Sequence, residues 1–131
     1  MPATAPGHRA LLIAGVVLIV LTGLIHAIEA PEYLEEETYI GVLFVLNVLG
    51  ALASAVGMWR GSRAAWALGI VVAAGAFIAF ILSRTVGLPS FSDPEWEPLG
   101  IVSLIVEGAF VLIAVRALTF GPREVRAVDS N

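Results

Sequence analysis

The sequence contains no cysteine and no lysine, and each absence excludes a class of chemistry. Without cysteine the chain cannot form disulfides, use thiol redox chemistry or bind metals through thiolates. Without lysine it cannot form a Schiff base with retinal, pyridoxal phosphate or a substrate carbonyl. Histidine is scarce too: His8 and His26 would lie about 27 Å apart by helical rise, so they cannot ligate one haem together.

Apolar residues dominate what is there, at 59% of the chain with a mean hydropathy of +0.94. Four apolar segments, at about 10–28, 39–59, 64–84 and 99–118, each approach the ~20 residues that span a bilayer as a helix. They lack the alternation typical of barrel strands. The sequence therefore predicts an all-α membrane protein, a single domain over residues 1–131 that forms a four-transmembrane-helix bundle of two helical hairpins. The first segment is longer than the apolar region of a signal peptide, which favours a retained helix.

The arginines predict the orientation of these helices. Six of the seven fall on one side of a four-helix arrangement, and only Arg84 falls on the other. The positive-inside rule then places both termini in the cytoplasm, with a cytoplasmic tail at 119–131. We expect a multi-pass protein of the plasma (inner) membrane. The lipid bilayer is the expected partner. The six arginines are explained by orientation, so nothing indicates nucleic-acid binding.

Glu107 lies within the otherwise uncharged run from Leu99 to Val115. A charged side chain that faces the lipid inside the bilayer costs at least ~2.5 kcal/mol. We therefore expect Glu107 to face the bundle interior, where it is paired, hydrated or protonated. By helical rise it lies roughly 12 Å below the outer surface. Other polar residues share its depth or lie nearer the surface on inward faces. We expect an outward-facing polar pocket lined by Thr22, His26, Glu29, Asn47, Arg84, Ser103 and Glu107.

Two interpretations of this pocket stay open. In the first, the cluster is structural: an ion pair or a hydrogen-bond cluster fixes the helix packing, and Arg84 pairs with Glu107 or with Glu29. In the second, it is a ligand site. His26 and Glu29 are three residues apart on one helix face, so a metal site of His26, Glu29 and Glu107 is a lesser possibility. The paired Glu-x-x-His motifs of di-iron bundles are missing from the sequence. The cofactor, if any, is unknown.

One stretch carries a resemblance. "SRTVGLP" (83–89) is followed by an acidic segment and "WEPLG" (96–100), and the first apolar segment ends with Gly23-Leu-Ile-His26 before Pro31-Glu32. With Glu107 in the last segment, this pattern resembles small four-span bacterial membrane proteins that carry an SRTVGLP-type motif. That group has no assigned activity. The resemblance implies the four-helix architecture and the same candidate residues, and no reaction.

No enzyme signature is present, so we expect a small integral membrane protein that is a non-enzymatic structural or accessory component. The alternative is binding of a cation, a metal or a small ligand, including a redox or quinone-linked one, around His26, Glu29, Arg84 and Glu107. A third possibility is a membrane enzyme or redox protein that uses a bound metal or quinone. A membrane-protein partner or a homo-oligomer is compatible with each function.

Overall fold

The computed structural model describes residues 6–120 of the 131-residue chain, and these form four helices. They are α1 (Pro6–Glu36), α2 (Thr38–Trp59), α3 (Arg63–Arg84) and α4 (Pro98–Phe120). All four are long and apolar enough to cross a membrane. The predicted fold class, an all-α four-helix membrane bundle, is confirmed. Most of the predicted tail, residues 121–131, lies outside the described residues.

The helices follow one another around the bundle. Within the described residues α1 packs against α2 and α4, α3 packs against the same two helices, and the diagonal pairs barely touch. Gly69 allows α3 to pack closely against α2 and α4. A Cβ added at Gly69 of α3 would lie 2.5 Å from the Phe110 ring of α4 and 2.6 Å from the Ser54 hydroxyl of α2. Without a side chain at Gly69, the three backbones approach closely, as is typical of membrane helices.

The two ends of the bundle differ in character. We call the end with residues 37 and 85–97 the loop end, and the opposite end, with the chain termini, the terminal end. The terminal half holds the apolar core, where Trp66 and Phe110 stack with their ring centroids 6.1 Å apart against Ile19 and Met58. The buried polar side chains Thr22, His26, Asn47, Ser103 and Glu107 lie toward the loop end.

Helix α1 is longer than the sequence predicts. It was expected to end near residue 28, before Pro31, but it continues through Pro31 to Glu36. A proline inside a helix removes one N–H donor and crowds the preceding turn, which favours a helix end. Here the following turn is stabilised by packing. Tyr33 is buried, with its ring centroid 4.5 Å from that of Phe44 and 5.7 Å from that of Phe91.

The loop between α3 and α4 folds back over the loop end. It leaves α3 at Gly87, whose φ of +87° favours glycine and whose N–H donates to Leu82 O at 2.7 Å. The Asp93 N–H then donates to Ser83 O at 3.0 Å. The Tyr39 hydroxyl of α2 donates to the carbonyl of Pro89. These bonds hold the loop across the ends of α2 and α3.

Candidate functional site

A cavity of about 380 Å³ lies in the loop-end half of the bundle, mainly between α2 and α3. This volume is within the ~300–1,000 Å³ typical of small-molecule sites. Helices α1 and α4 form its back wall, and Leu88 and Phe91 of the loop cover it. Most of the lining is apolar, and all of its polar residues except Tyr33 and Ser83 are ones that the sequence singled out.

Six of the seven predicted pocket residues line this cavity: His26, Glu29, Asn47, Arg84, Ser103 and Glu107. Thr22 does not line it. The Thr22 side chain is fully buried, and its hydroxyl donates to Leu18 O at 3.0 Å, one turn earlier in α1. A threonine on the predicted face thus satisfies its own helix instead of pointing into the cavity.

Glu107 is the deepest ionisable group and is only 1% exposed. Ser103 lies one turn earlier on α4, and its hydroxyl donates to Glu107 Oε2 at 2.7 Å. This bond fixes the orientation of the carboxyl group. The other oxygen, Oε1, is buried and has no hydrogen-bond partner among the described residues.

His26 faces the same carboxyl group from α1. Its Nδ1 lies 2.8 Å from Thr22 O, and because a carbonyl can only accept, Nδ1 carries the hydrogen. In the neutral ring this leaves Nε2 as an acceptor. Nε2 is 3.9 Å from Glu107 Oε2, which is too long for a direct hydrogen bond. The tilted Phe44 ring lies beside the imidazole, with centroids 4.7 Å apart.

Asn47 supplies a third polar group, from α2. Its Nδ2 donates a long bond of 3.5 Å to Val72 O on α3. The carbonyl oxygen Oδ1 is buried and lacks a partner in the described part of the chain. The side chains of Asn47 and Glu107 therefore each bring an unpartnered oxygen to a mostly apolar cavity.

The predicted ion pair between Arg84 and Glu107 is wrong. Arg84 Nη2 lies 2.6 Å from Glu97 Oε1 and 3.3 Å from Asp93 Oδ2, both in the loop. Its Nε–H donates to Glu95 O at 2.8 Å. The guanidinium also lies over the Phe80 ring, 4.1 Å from its centroid. The loop folds back and brings these acceptors to the end of α3, so the guanidinium is satisfied without reaching down to Glu107.

The proposed metal triad of His26, Glu29 and Glu107 does not form. Over residues 6–120, no three histidine or carboxylate side chains are grouped closely enough to hold a metal ion. His26 and Glu29 share a helix face, but they occupy different turns at different depths. Helical spacing by itself does not bring their ligand atoms to one point.

The chain matches no protein-family model, no curated protein and no solved structure. The resemblance to four-span proteins with an SRTVGLP-type motif therefore stays an expectation. What the cavity does has to be inferred from its own geometry.

Sequence analysis missed the aromatic part of the cavity lining. Tyr33 and Phe44 were available from helical spacing, seven residues after His26 and three before Asn47 on the same faces. Phe80 lies one turn before Arg84 on α3. Phe91 comes from the irregular loop, where no periodicity indicates which side chains point inward.

The polar groups of the cavity suit binding better than nucleophilic catalysis. A serine nucleophile needs a base that takes its proton, usually a histidine within hydrogen-bond reach. The Ser103 hydroxyl instead donates to Glu107, and the hydrogen on His26 Nδ1 is directed at a backbone carbonyl. The arrangement presents fixed acceptor atoms to whatever occupies the cavity.

Proposed function

We propose that this protein is a non-enzymatic membrane protein that binds a small, largely apolar molecule with one polar group in the cavity between α2 and α3. The observation that carries the proposal is that two lining residues, Glu107 and Asn47, each have a buried oxygen, Oε1 and Oδ1, with no hydrogen-bond partner within residues 6–120. Native proteins bond nearly all their buried polar atoms, and an unsatisfied one costs about 1–3 kcal/mol. A cluster that only held the helices together would satisfy these atoms from neighbouring side chains.

The proposal favours ligand binding over the purely structural role that the sequence first suggested. The apolar lining provides the binding energy, because covering apolar surface contributes roughly 25 cal/mol per Å². The few polar atoms fix the ligand's orientation, as in most small-molecule sites. We propose the plasma membrane as its location, and the arginine distribution supports a topology with both termini in the cytoplasm, so that the loop end faces outward.

Gly75 of α3 allows a sharp test. It lines the cavity, and a Cβ added there meets nothing within 4 Å. Gly75→Leu should therefore fold and occupy part of the cavity. Gly75→Ala makes the same change of helix propensity but leaves most of the space.

The experiment compares organic extracts of detergent-purified wild type, Gly75→Ala and Gly75→Leu by mass spectrometry. We expect one or more molecules that are enriched with wild type and Gly75→Ala and depleted with Gly75→Leu, at equal amounts of folded protein. Identical extracts from all three proteins would reject the proposed function, because a molecule held in the cavity must be affected by a large side chain at Gly75.

A further inference from the structure

We propose that the ligand is a lipophilic amine, an organic cation with an apolar body, and that it enters from the bilayer through the gap between α2 and α3. This inference rests on the proposed function and gives it a ligand class. Four features support it: the hydrogen-bonding character of the polar lining, its charge, its aromatic rings, and the position of the cavity's apolar rim.

The polar atoms deepest in the cavity are acceptors. Glu107 Oε1 and Asn47 Oδ1 lack partners among the described residues, and the neutral His26 ring presents Nε2 as an acceptor. A ligand with a carbonyl or carboxylate at its polar end would place acceptors against acceptors. An ammonium group has donors and no acceptor, so it complements this set.

The charge of the site also favours a cationic ligand. Glu29 and Glu107 both line the cavity, and the guanidinium of Arg84, also in the lining, is already held by two further carboxylates, Asp93 and Glu97. The two carboxyl groups of the lining, those of Glu29 and Glu107, thus lie outside the ion pairs that Arg84 makes with the loop. Such an excess of acidic groups attracts cations and disfavours anions.

Aromatic rings in the cavity lining are a further feature that favours a cation. Phe44 lies between His26 and Tyr33, with ring centroids 4.7 and 4.5 Å away, and all three side chains line the cavity. The faces of aromatic rings attract ammonium groups within about 6 Å of the ring centroid, most strongly where water is excluded. The same rings bind the apolar body of the ligand.

The rim of the cavity shows where the ligand enters. Leu46 of α2 and Val71 of α3 line the cavity, yet they are 55% and 69% exposed on the lipid-facing surface. The cavity therefore reaches the lipid-facing surface between these helices. The loop end is covered by Leu88 and Phe91, and the loop is tied to α2 by the bond from Tyr39 to Pro89. A molecule dissolved in the bilayer meets the gap directly.

The test uses three probes with one apolar body: 1-naphthylmethylamine, 1-naphthylmethanol and 1-naphthoic acid. Binding to the full chain in lipid nanodiscs is measured by calorimetry, with empty nanodiscs subtracted. Charge-assisted hydrogen bonds are about twice as strong as neutral ones, so we expect the amine to bind about tenfold more tightly than the alcohol. The carboxylate should not bind measurably.

Two variants remove the same charge at different places. Glu107→Gln should reduce the preference for amine over alcohol to less than about threefold, since an amide replaces the carboxyl group. Glu95→Gln removes an exposed acid of the loop whose side chain does not line the cavity, and it should leave the preference unchanged. A fall in preference with Glu95→Gln equal to that with Glu107→Gln would overturn the assignment of Glu107 as the amine site.

The remaining outcomes separate this inference from the proposed function. If the alcohol or the acid binds wild type as tightly as the amine and is lost in Gly75→Leu, the amine assignment is wrong and the cavity still binds ligands. If no probe binds, the amine assignment is also wrong, and the extract comparison decides the proposed function independently.

The entry route is tested by the rate of amine association. Val71→Trp should slow association several-fold relative to Leu112→Trp, a matched lipid-facing change on α4. Equal association rates would reject lateral entry.

Discussion

Arg84 is paired with the loop and not with Glu107, and double-mutant cycles measure the difference. The side chain of Arg84 is 3% exposed, and its shortest contact is 2.6 Å, from Nη2 to Glu97 Oε1. A hydrogen bond to a charged partner contributes about 1.5–3 kcal/mol. The Glu97 side chain is 35% exposed, and exposure weakens an ion pair, so we take the lower part of that range. We expect a coupling free energy of about 1.5–2 kcal/mol between Arg84 and Glu97.

A second, matched double-mutant cycle tests the pair Arg84 and Glu107 instead of the pair Arg84 and Glu97. Arg84→Gln and Glu107→Gln should be additive within about 0.5 kcal/mol, because the two side chains share no contact in the structure. Arg84→Gln alone should destabilise the bundle by about 3 kcal/mol, the lower end for breaking a buried pair, because it leaves two carboxylates facing each other without a cation.

The assay is equilibrium unfolding in mixed micelles of a mild detergent and dodecyl sulfate, with the three single variants and the two doubles. The helical circular dichroism signal is suitable, because Trp96 lies next to Glu97 and packs on Phe80 beneath Arg84, so tryptophan fluorescence would respond to the substitutions directly. A coupling free energy that is larger for Arg84 with Glu107 than for Arg84 with Glu97 would refute the assigned pairing and restore the structural ion pair inside the bundle.

Three further results are expected. In intact cells, Ser92→Cys in the outer loop should react with a membrane-impermeant thiol reagent while Thr119→Cys should react only after permeabilisation; labelling of Thr119→Cys from outside would invert the topology. Gly69→Val should destabilise the bundle by about 1–3 kcal/mol through overpacking against Phe110, whereas Gly75→Val, with open space at its Cβ, should unfold much closer to wild type. Ser54→Ala should cost about 1 kcal/mol, since the Ser54 hydroxyl donates across the bundle to Ala65 O at 2.8 Å, and an unchanged midpoint would show that this bond contributes nothing.

Hydropathy predicted the number of helices and most of their ends, because spanning a bilayer sets both the length and the composition of a helix. The observed bounds of α2 and α4 lie within two residues of those predicted. The C-terminal end of α1 was wrong by about eight residues, because the turns after Pro31 depend on tertiary contacts. Tyr33 is held by Phe44 of another helix and Phe91 of a distant loop, and no local pattern reports such contacts.

The polar side of the site was predictable for a related reason. Burying a polar side chain in a membrane is costly, so His26, Asn47, Ser103 and Glu107 stand out from their apolar surroundings and must face inward. Their depths follow from helical rise. The partner of Arg84 was not predictable, since it depends on how residues 85–97 fold back. Several acids of the loop were possible partners of Arg84, at similar distances along the sequence. The hydrogen bond from Asp93 N to Ser83 O, which the sequence does not reveal, brings the loop acids back to the end of α3.

The pairing of Arg84 with the loop acids determines which groups remain available to Glu107. Had the arginine reached down to Glu107, the charge would be satisfied inside the protein and the cavity would need no occupant. Instead the loop acids neutralise Arg84 at the loop end of α3. Glu107 keeps one hydrogen bond from Ser103, and its Oε1 has no partner among the described residues. Its nearest ionisable neighbour is His26 at 3.9 Å, whose Nδ1 hydrogen is directed away toward Thr22 O. Within residues 6–120 the arrangement thus separates Arg84 from the most deeply buried acid of this half, which supports the proposal that Glu107 binds a donor from outside the protein.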